Sequence, residues 1–412
     1  MKKSLVTDIY ICAMFSLFLF YTGFRGYSGI FTAKKELFTI LSLTYIGVSA
    51  LWGIPFKKFK LPEISALAYF IITAVSAVLS DYFPKTLLGV SRYEGLLTIG
   101  IYVFVFIFVS RDFEMRPLFI PFLSVVMIAE SIIVILQLFD FNVMGLYPIG
   151  ENLSIATEKY NGVFISTIGN ADIASAFFSL LTPVLFVLFL RYEKYKPMTF
   201  MSFVLSLICV LSMSVSAGIV AMLSTAVILP FVLFPKRRKL ILLLLCIALI
   251  ISLLLIYFLP FRDGMLYEFQ CIMKGEADRT FGAGRFHRWS EVISNTKPLF
   301  GSGPDTMLYE DIEPFVKIEN GEKIVRRIDI AHNDYLNILF HQGIFALISY
   351  FCLLSPLLTW FKNKKGNAFP LAVGAGAFAY SVQVFFSFSA CSSAIFFWIM
   401  LGILNAEQKR YE

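Results

Sequence analysis

Leu240-Ile241-Leu242-Leu243-Leu244-Leu245-Cys246-Ile247-Ala248-Leu249-Ile250-Ile251-Ser252-Leu253-Leu254-Leu255-Ile256-Tyr257-Phe258-Leu259 is an uncharged run, and reading it decides how the remaining chain is read. At a rise of about 1.5 Å per residue, a helix of this length crosses about 30 Å of bilayer hydrocarbon. A polar stretch dotted with aromatics, Phe261 to Ala331, separates it from the next apolar run. Working outward, comparable runs cover 8–24, 37–54, 64–80, 96–109, 117–139, 171–190, 198–215 and 217–234 on one side. On the other side lie 333–360, 368–386 and 389–405. Hydrophobic residues make up 58% of the chain and charged residues 15%, against roughly a quarter charged in soluble domains. The expected class is an all-α, polytopic membrane protein of about 12 transmembrane helices, with a large external loop between helices 9 and 10. The seventh and eighth runs meet at Ser216-Ala217-Gly218 and can also be read as one broken segment. The chain then divides into 1–259 (helices 1–9), 260–332 (an external catalytic loop) and 333–412 (helices 10–12 and a cytoplasmic tail).

Lysine and arginine in the short loops set the orientation. An internal N-terminus puts Lys2, Lys3, Lys57, Lys58, Lys60, Arg111, Arg116, Arg191, Lys194, Lys196, the Lys236 to Lys239 cluster, Lys362, Lys364, Lys365, Lys409 and Arg410 in the cytoplasm. The opposite short loops hold Arg25, Lys34, Lys35, Lys85, Arg92 and Lys159. Both termini are thereby expected in the cytoplasm of a plasma-membrane protein. The net charge of +7 is mostly this topology signal, and no aromatic-interleaved basic groove suggests nucleic acid. The first apolar run has no small-residue cleavage site after it and is expected to be retained. Six cysteines show no disulfide framework and no zinc spacing, with Cys271 alone in the external loop. No fixed-period repeat or matched pair of interrupted helices points to a transporter.

Within the loop, Phe286, Trp289, Val292 and Ile293 recur at helical spacing between Gly282-Ala283-Gly284 and Pro298. Arg285 and Arg288, three apart, flank this short surface helix. Their guanidinium forks suit phosphate, with a lipid-headgroup anchor or a salt bridge to Glu291 as the alternatives. Trp289 suits the headgroup level. Pro298-Leu299-Phe300-Gly301-Ser302-Gly303-Pro304 lacks the glycine order of a phosphate-binding loop and reads as a tight turn carrying the chain across the bundle. The acidic stretch Glu310 to Glu322 reads as a solvated, mobile face with no metal-ligand pattern.

The loop ends at Asp329-Ile330-Ala331-His332-Asn333-Asp334-Tyr335-Leu336. His332 there can take a proton from a sugar hydroxyl, its second nitrogen oriented by a neighbour such as Asp334. It can equally be a histidine that only caps the helix. His341, nine residues on at about 100° per residue, faces away and reads as a packing residue; His287 reads as an exposed loop residue. Arg92 can add to a phosphate site or form an interfacial ion pair with Glu94. Asp172, just inside the sixth run, calls for a partner or a water-filled cavity.

Taken in order, Gly89-Val90-Ser91-Arg92-Tyr93-Glu94-Gly95, Ser166-Thr167-Ile168-Gly169-Asn170, Gly284-Arg285 with Trp289, Pro298 to Gly303, and Ala331-His332-Asn333-Asp334-Tyr335-Leu336 with Gly343 resemble the O-antigen ligase and polymerase superfamily. The resemblance implies a metal-independent, cofactor-free glycosyltransferase that moves a glycan from a polyprenyl-diphosphate carrier to an acceptor hydroxyl outside the membrane, inverting the anomeric carbon. By it, Arg285 grips the diphosphate and His332 is the base or acceptor-orienting residue. Arg288, Arg92 and Asn333 are candidate substrate-binding residues. One departure stands out: Ser214-Val215-Ser216-Ala217-Gly218 has alanine where the family often has a diphosphate-binding arginine, leaving Arg92, Arg279 or Arg288 to replace it. The expected outcome is polymerisation of a surface polysaccharide. The alternatives are an O-antigen-type ligase acting on a lipid, protein or wall acceptor, and, in other classes, a polysaccharide or lipid transporter or a sensor.

Overall fold

The computed structural model describes residues 3–23, 26, 29–53, 59–148, 150–160, 163–276, 278, 281–319, 322–361 and 368–411. Lys2, Arg25, Lys57, Lys58, Arg279, Lys362, Lys364 and Lys365 lie outside the described residues. The first half runs α1 (Lys3–Ala13), a π-helical continuation (Met14–Phe18), α2 (Ile30–Ala50), α3 (Leu61–Leu79), α4 (Leu96–Asp112), α5 (Phe119–Leu138) and α6 (Leu153–Tyr160). A short ribbon of β1 (Phe164–Ile165) and β2 (Gly169–Asn170) leads into α7 (Ala171–Arg191), α8 (Lys196–Ser212), α9 (Ser216–Leu233) and α10 (Arg238–Phe258). The long segment folds as α11 (Gly264–Met273), α12 (Phe281–Ser294) and the hairpin β3 (Phe315–Glu319) and β4 (Glu322–Arg326). The chain closes with α13 (Asp334–Leu353), α14 (Ser355–Phe361), α15 (Ala368–Gln383) and α16 (Cys391–Tyr411).

Among the described residues, seven helices are long and apolar enough to cross a membrane. The chain is thus an integral membrane protein, about 75% helical with almost no sheet. Its burial grades from inside to outside: α7 is buried along most of its length, while α10 has no buried residue. The run that announces the membrane is therefore the one most fully given to lipid, as a helix apolar all round can be. Runs seven and eight are two helices, because Met213 and a left-handed Ser214 (φ 53°) break the chain between α8 and α9.

Four of the basic residues expected in the cytoplasm, Arg111, Arg116, Lys409 and Arg410, tie helices and the segments between them to one another. Arg116 pairs with Asp8, midway along α1, at 2.6 Å. Lys409 of α16 meets Glu63 at the start of α3, Arg410 meets the Phe113 carbonyl, and Arg111 meets Gly53 at the end of α2. Lys34 departs from expectation. Instead of lying in a loop it is fully buried in α2, because the helix begins at Ile30.

Midway along its length α13 is broken at Gly343 (φ 82°, ψ −178°). The break frees the Phe340 and His341 carbonyls and the Ile344 amide from their normal helical partners. The Pro298–Gly303 segment supplies replacements: Ser302 N–H donates to Phe340 O (2.9 Å), Gly303 N–H to His341 O (2.9 Å), and Ile344 N–H to Pro298 O (2.9 Å). Ser76 of α3 adds its hydroxyl to His341 O at 2.7 Å. The glycine-rich turn does cross the bundle, and it does so by filling a gap in a helix. A Cβ on Gly343 would sit 2.1 Å from Leu299 O, so only glycine admits both the left-handed backbone and the close approach. Gly343→Ala is expected to destabilise the fold by about 1–3 kcal/mol, read as a lowered thermal midpoint in detergent. Gly47→Ala, with nothing within 4 Å of the new Cβ, is the control; equal midpoints for the two would show that the break does not need the inserted segment.

Candidate active site

The inserted segment ends at Asp305, and a single oxygen of its carboxylate, Oδ2, accepts the backbone N–H groups of Val90 (2.7 Å), Ser91 (2.9 Å) and Arg92 (2.9 Å). Ionised acceptors make strong bonds of this kind. The turn can close only without side chains: a Cβ on Gly89 would lie 2.6 Å from Asp305 Oδ2, and one on Gly95 would lie 2.3 Å from Gly89 N. That explains the paired glycines of the 89–95 motif and fixes where Arg92 emerges.

Arg92 then donates to Asp329 Oδ2 at 2.8 Å, and its guanidinium lies 4.8 Å over the Phe388 ring. Glu94 is not its partner. The Glu94 carboxylate accepts from Tyr102 Oη at 2.9 Å, and burial raises its pKa well above the usual carboxylate range. Behind the Arg92–Asp329 pair lies a cavity of about 90 Å³ lined by Glu94, Asp334, Asn337 and Gln342 among others.

His332 stands edge-on to the same Phe388 ring at 5.4 Å, on left-handed backbone (φ 52°) that is costly for a non-glycine residue. Both backbone groups of Ala331 are tied, its N–H to Asn337 Oδ1 (2.9 Å) and its carbonyl to the Trp289 indole (3.0 Å). Trp289 thus holds the His332 strand. Asn333 caps α13, its side-chain oxygen accepting from Tyr335 N (3.0 Å) and Leu336 N (3.1 Å), so the cap is not His332. Asp334 is likewise committed elsewhere, accepting from Ser389 N (3.0 Å) and Asn337 Nδ2 (3.3 Å).

Arg285 approaches from α12, donating to Phe386 O (3.1 Å) and Gly282 O (2.8 Å). Arg288 lies 5.4 Å from the Phe315 ring. Arg285, Arg288 and Arg92 all act electrostatically on His332, with Asp329 opposing them. Asp172, in the first turn of α7, lies within electrostatic reach of Arg285 and Arg92. The structure therefore brings together His332, Arg285, Arg288 and Arg92, and it places Asn333 as the cap beside them. Burial first, then these guanidiniums, push the His332 imidazole down to about 3 from an ordinary 6.5. A neutral imidazole can accept a hydrogen bond.

Other expectations are revised. His287 is half-buried against Phe315 (6.0 Å) and not an exposed loop residue. His341 is a packing residue as read, its Nδ1 3.0 Å from Gly303 O. Part of the acidic stretch, Phe315–Glu319, forms strand β3, and Glu310 lies 3.7 Å from Lys297. Cys271 is buried, so it does not report on loop exposure. Ala217 is fully buried, and a Cβ on Gly218 would meet Ser175 Oγ at 2.2 Å, so α9 packs tightly where the family arginine would fall. Among the described residues no three His, Cys, Asp or Glu side chains are arranged to hold a metal ion. Asp305, Asp329 and Phe388 escaped sequence reasoning. Asp329 stood in the His332 stretch, but nothing in sequence pairs it with Arg92.

Residues 200–351 match the family model described as O-antigen ligase. The chain is O-antigen ligase-like over that region, which holds Arg285 and His332 but not Arg92. No curated protein matches the chain significantly. The family implies a membrane glycosyltransferase-like enzyme.

Because the pKa of His332 is lowered, its imidazole is expected to stay neutral over about pH 5 to 8, where ordinary histidines titrate. Isotope-labelled histidine NMR, with the His332 signal assigned by its loss in His332→Gln, checks this. A His332 imidazolium by about pH 6 would show that the guanidiniums do not converge on it.

Proposed function

We propose that this protein is a metal-independent, inverting glycosyltransferase that moves a glycan from a polyprenyl-diphosphate carrier to an acceptor hydroxyl at the external membrane face. The observation that carries this reading is the gathering of three arginines around one neutral histidine. Guanidiniums bind phosphate oxygens through paired donors and stabilise charge developing on a departing diphosphate. Arg285 would hold the diphosphate with Arg288 and Arg92, the last standing in for the arginine absent at Ala217. Neutral His332 would accept the proton of the attacking hydroxyl, and the incoming diphosphate, by offsetting the guanidinium charge, would make it a better base. Asn333 would serve by capping α13 and so fixing His332. In-line attack inverts the anomeric carbon.

The acceptor distinguishes two readings. A second lipid-linked chain makes the protein a polysaccharide polymerase, which is the proposal here; the family description favours a ligase using a terminal lipid, protein or wall component. Purified protein given a polyprenyl-diphosphate glycan, with and without added acceptor, separates chain lengthening from terminal transfer, and product that forms only with magnesium would contradict metal independence. We further propose twelve spans: the seven already described, α1 with its π continuation, α2, α4, α15 and α16. The 260–332 segment would be external and both termini cytoplasmic, in the plasma membrane.

Arg285→Lys keeps the charge but loses the fork and is expected to remain substantially defective. His332→Ala is expected to bind donor yet lose transfer by roughly 10² to 10⁴-fold, with His341→Ala less informative because that ring is structural. Near-normal turnover in His332→Ala would sink the proposed role.

For topology, Asp311→Cys, exposed in the structure, is expected to react with an impermeant thiol reagent in intact cells while Lys239→Cys does not. The reverse pattern would invert the orientation.

A further inference from the structure

A second polar cluster lies away from the arginines, buried among α2, α5, the end of the π-helical segment and the β1–β2 turn. Glu130 of α5 and Lys34 of α2 are both fully buried there. Oε1 of Glu130 accepts the Ser166 hydroxyl and the Thr167 N–H, the latter at 2.8 Å. Its Oε2 lies 3.0 Å from Thr167 Oγ1. The same Thr167 Oγ1 lies 2.6 Å from Leu19 O. Lys34 Nζ donates to Leu19 O (2.8 Å) and Phe18 O (2.9 Å) and sits 5.0 Å from the Phe18 ring centroid.

Counting protons settles the states of these groups. A threonine hydroxyl carries one proton, and a carbonyl oxygen can only accept. The short Thr167–Leu19 contact uses that proton. The remaining contact with Glu130 Oε2 is then a hydrogen bond only if the proton resides on the carboxyl. An ionised carboxylate would set lone pairs against lone pairs in a buried site, where unpaired polar groups are expensive. The ammonium of Lys34 is meanwhile served by two carbonyls and an aromatic face.

We propose that Glu130 is held as the neutral acid and that, with Lys34 and Thr167, it forms a buried latch positioning the 164–172 segment beneath the arginine site. The latch grips the tip of the β1–β2 turn, where Ser166 has φ 69° and its N–H donates to Gln137 Oε1 at 2.6 Å. Two residues beyond the ribbon is Asp172, within electrostatic reach of Arg285 and Arg92, and Asn170 caps its helix by accepting from Asp172 N at 2.9 Å. Glu130 and Lys34 are thus positioning residues, acting through Asp172 on the arginines. This functional half rests on the donor-binding reading above, whereas the protonation state does not.

Glu130→Gln preserves every bond of the latch, since its amide can donate to Thr167 Oγ1 and its oxygen can accept from Ser166 and Thr167. Infrared difference spectra of the purified full-length protein, wild type against Glu130→Gln at neutral pH, are expected to contain the carbonyl band of a protonated carboxylic acid. A difference confined to ionised-carboxylate bands overturns the proposal. In the transfer assay Glu130→Gln is expected within about twofold of wild type, and Glu130→Ala to raise donor KM about tenfold, as for other groups that hold a site residue in place. A well-folded Glu130→Gln protein as defective as Glu130→Ala would overturn the latch. If Glu130→Ala does not fold, a wild-type donor KM in Thr167→Ser with a raised one in Thr167→Val tests the same hydroxyl, and equal values for the two overturn it. Absence of transfer in the wild type would count against the donor reading alone, because the infrared band needs no substrate.

Discussion

A helix that breaks must hand its freed backbone groups to other partners, and that requirement at Gly343 organises one whole end of this protein. The Phe340 and His341 carbonyls and the Ile344 amide are taken up by Pro298–Gly303. Irregular backbone within a membrane bundle is tolerated where protein buries and satisfies it. The consequence is that the segment between α10 and α13 is no loose appendage. Once threaded into the break it must emerge where Asp305 can seize the 90–92 amides, and Arg92 is placed by that seizure. Ala331, clamped from both sides by Asn337 and Trp289, sets His332 opposite.

Electrostatics at the site follow from its partial burial. Guanidiniums stay charged where an ammonium would shed its proton, since their pKa lies far above neutrality. Asp329 and Asp172 sit beside Arg92 and Arg285 as resident counter-charges. In the proposed reading these carboxylates keep the cations in place until a diphosphate competes for them. The imidazole, by contrast, is easily kept neutral, because burial and neighbouring cations both disfavour its charged form. The same site thus holds permanent charge on arginine and withholds it from histidine.

The bundle interior shows the complementary economy. Charge buried at Lys34 is met by two carbonyls and a ring. Intramembrane ionisable groups are expensive enough that their partners carry meaning. Here the partners tie the π-helical end of the first helix to the turn that starts α7, which is buried along most of its length.

Sequence alone determined the helical membrane class, because twenty uncharged residues at helical rise match the bilayer and a chain in lipid must satisfy its backbone internally. It also singled out the 89–95, 166–170, 285–289, 298–303 and 331–336 stretches, whose glycines, arginines and histidine are unusual against an apolar background. Tertiary structure alone decided what those stretches do to one another. Sequence offers Arg92 either a phosphate or Glu94, its near neighbour; in the fold its guanidinium sits on Asp329, 237 residues away. Asp334 was read as the orienter of His332 and turns inward to Ser389. Lys34 was read as a loop residue and lies buried, since the start of α2 depends on packing that hydropathy does not record. Periodicity and composition report which solvent a residue prefers; which long-range partner meets a charge is fixed only when the chain closes around it.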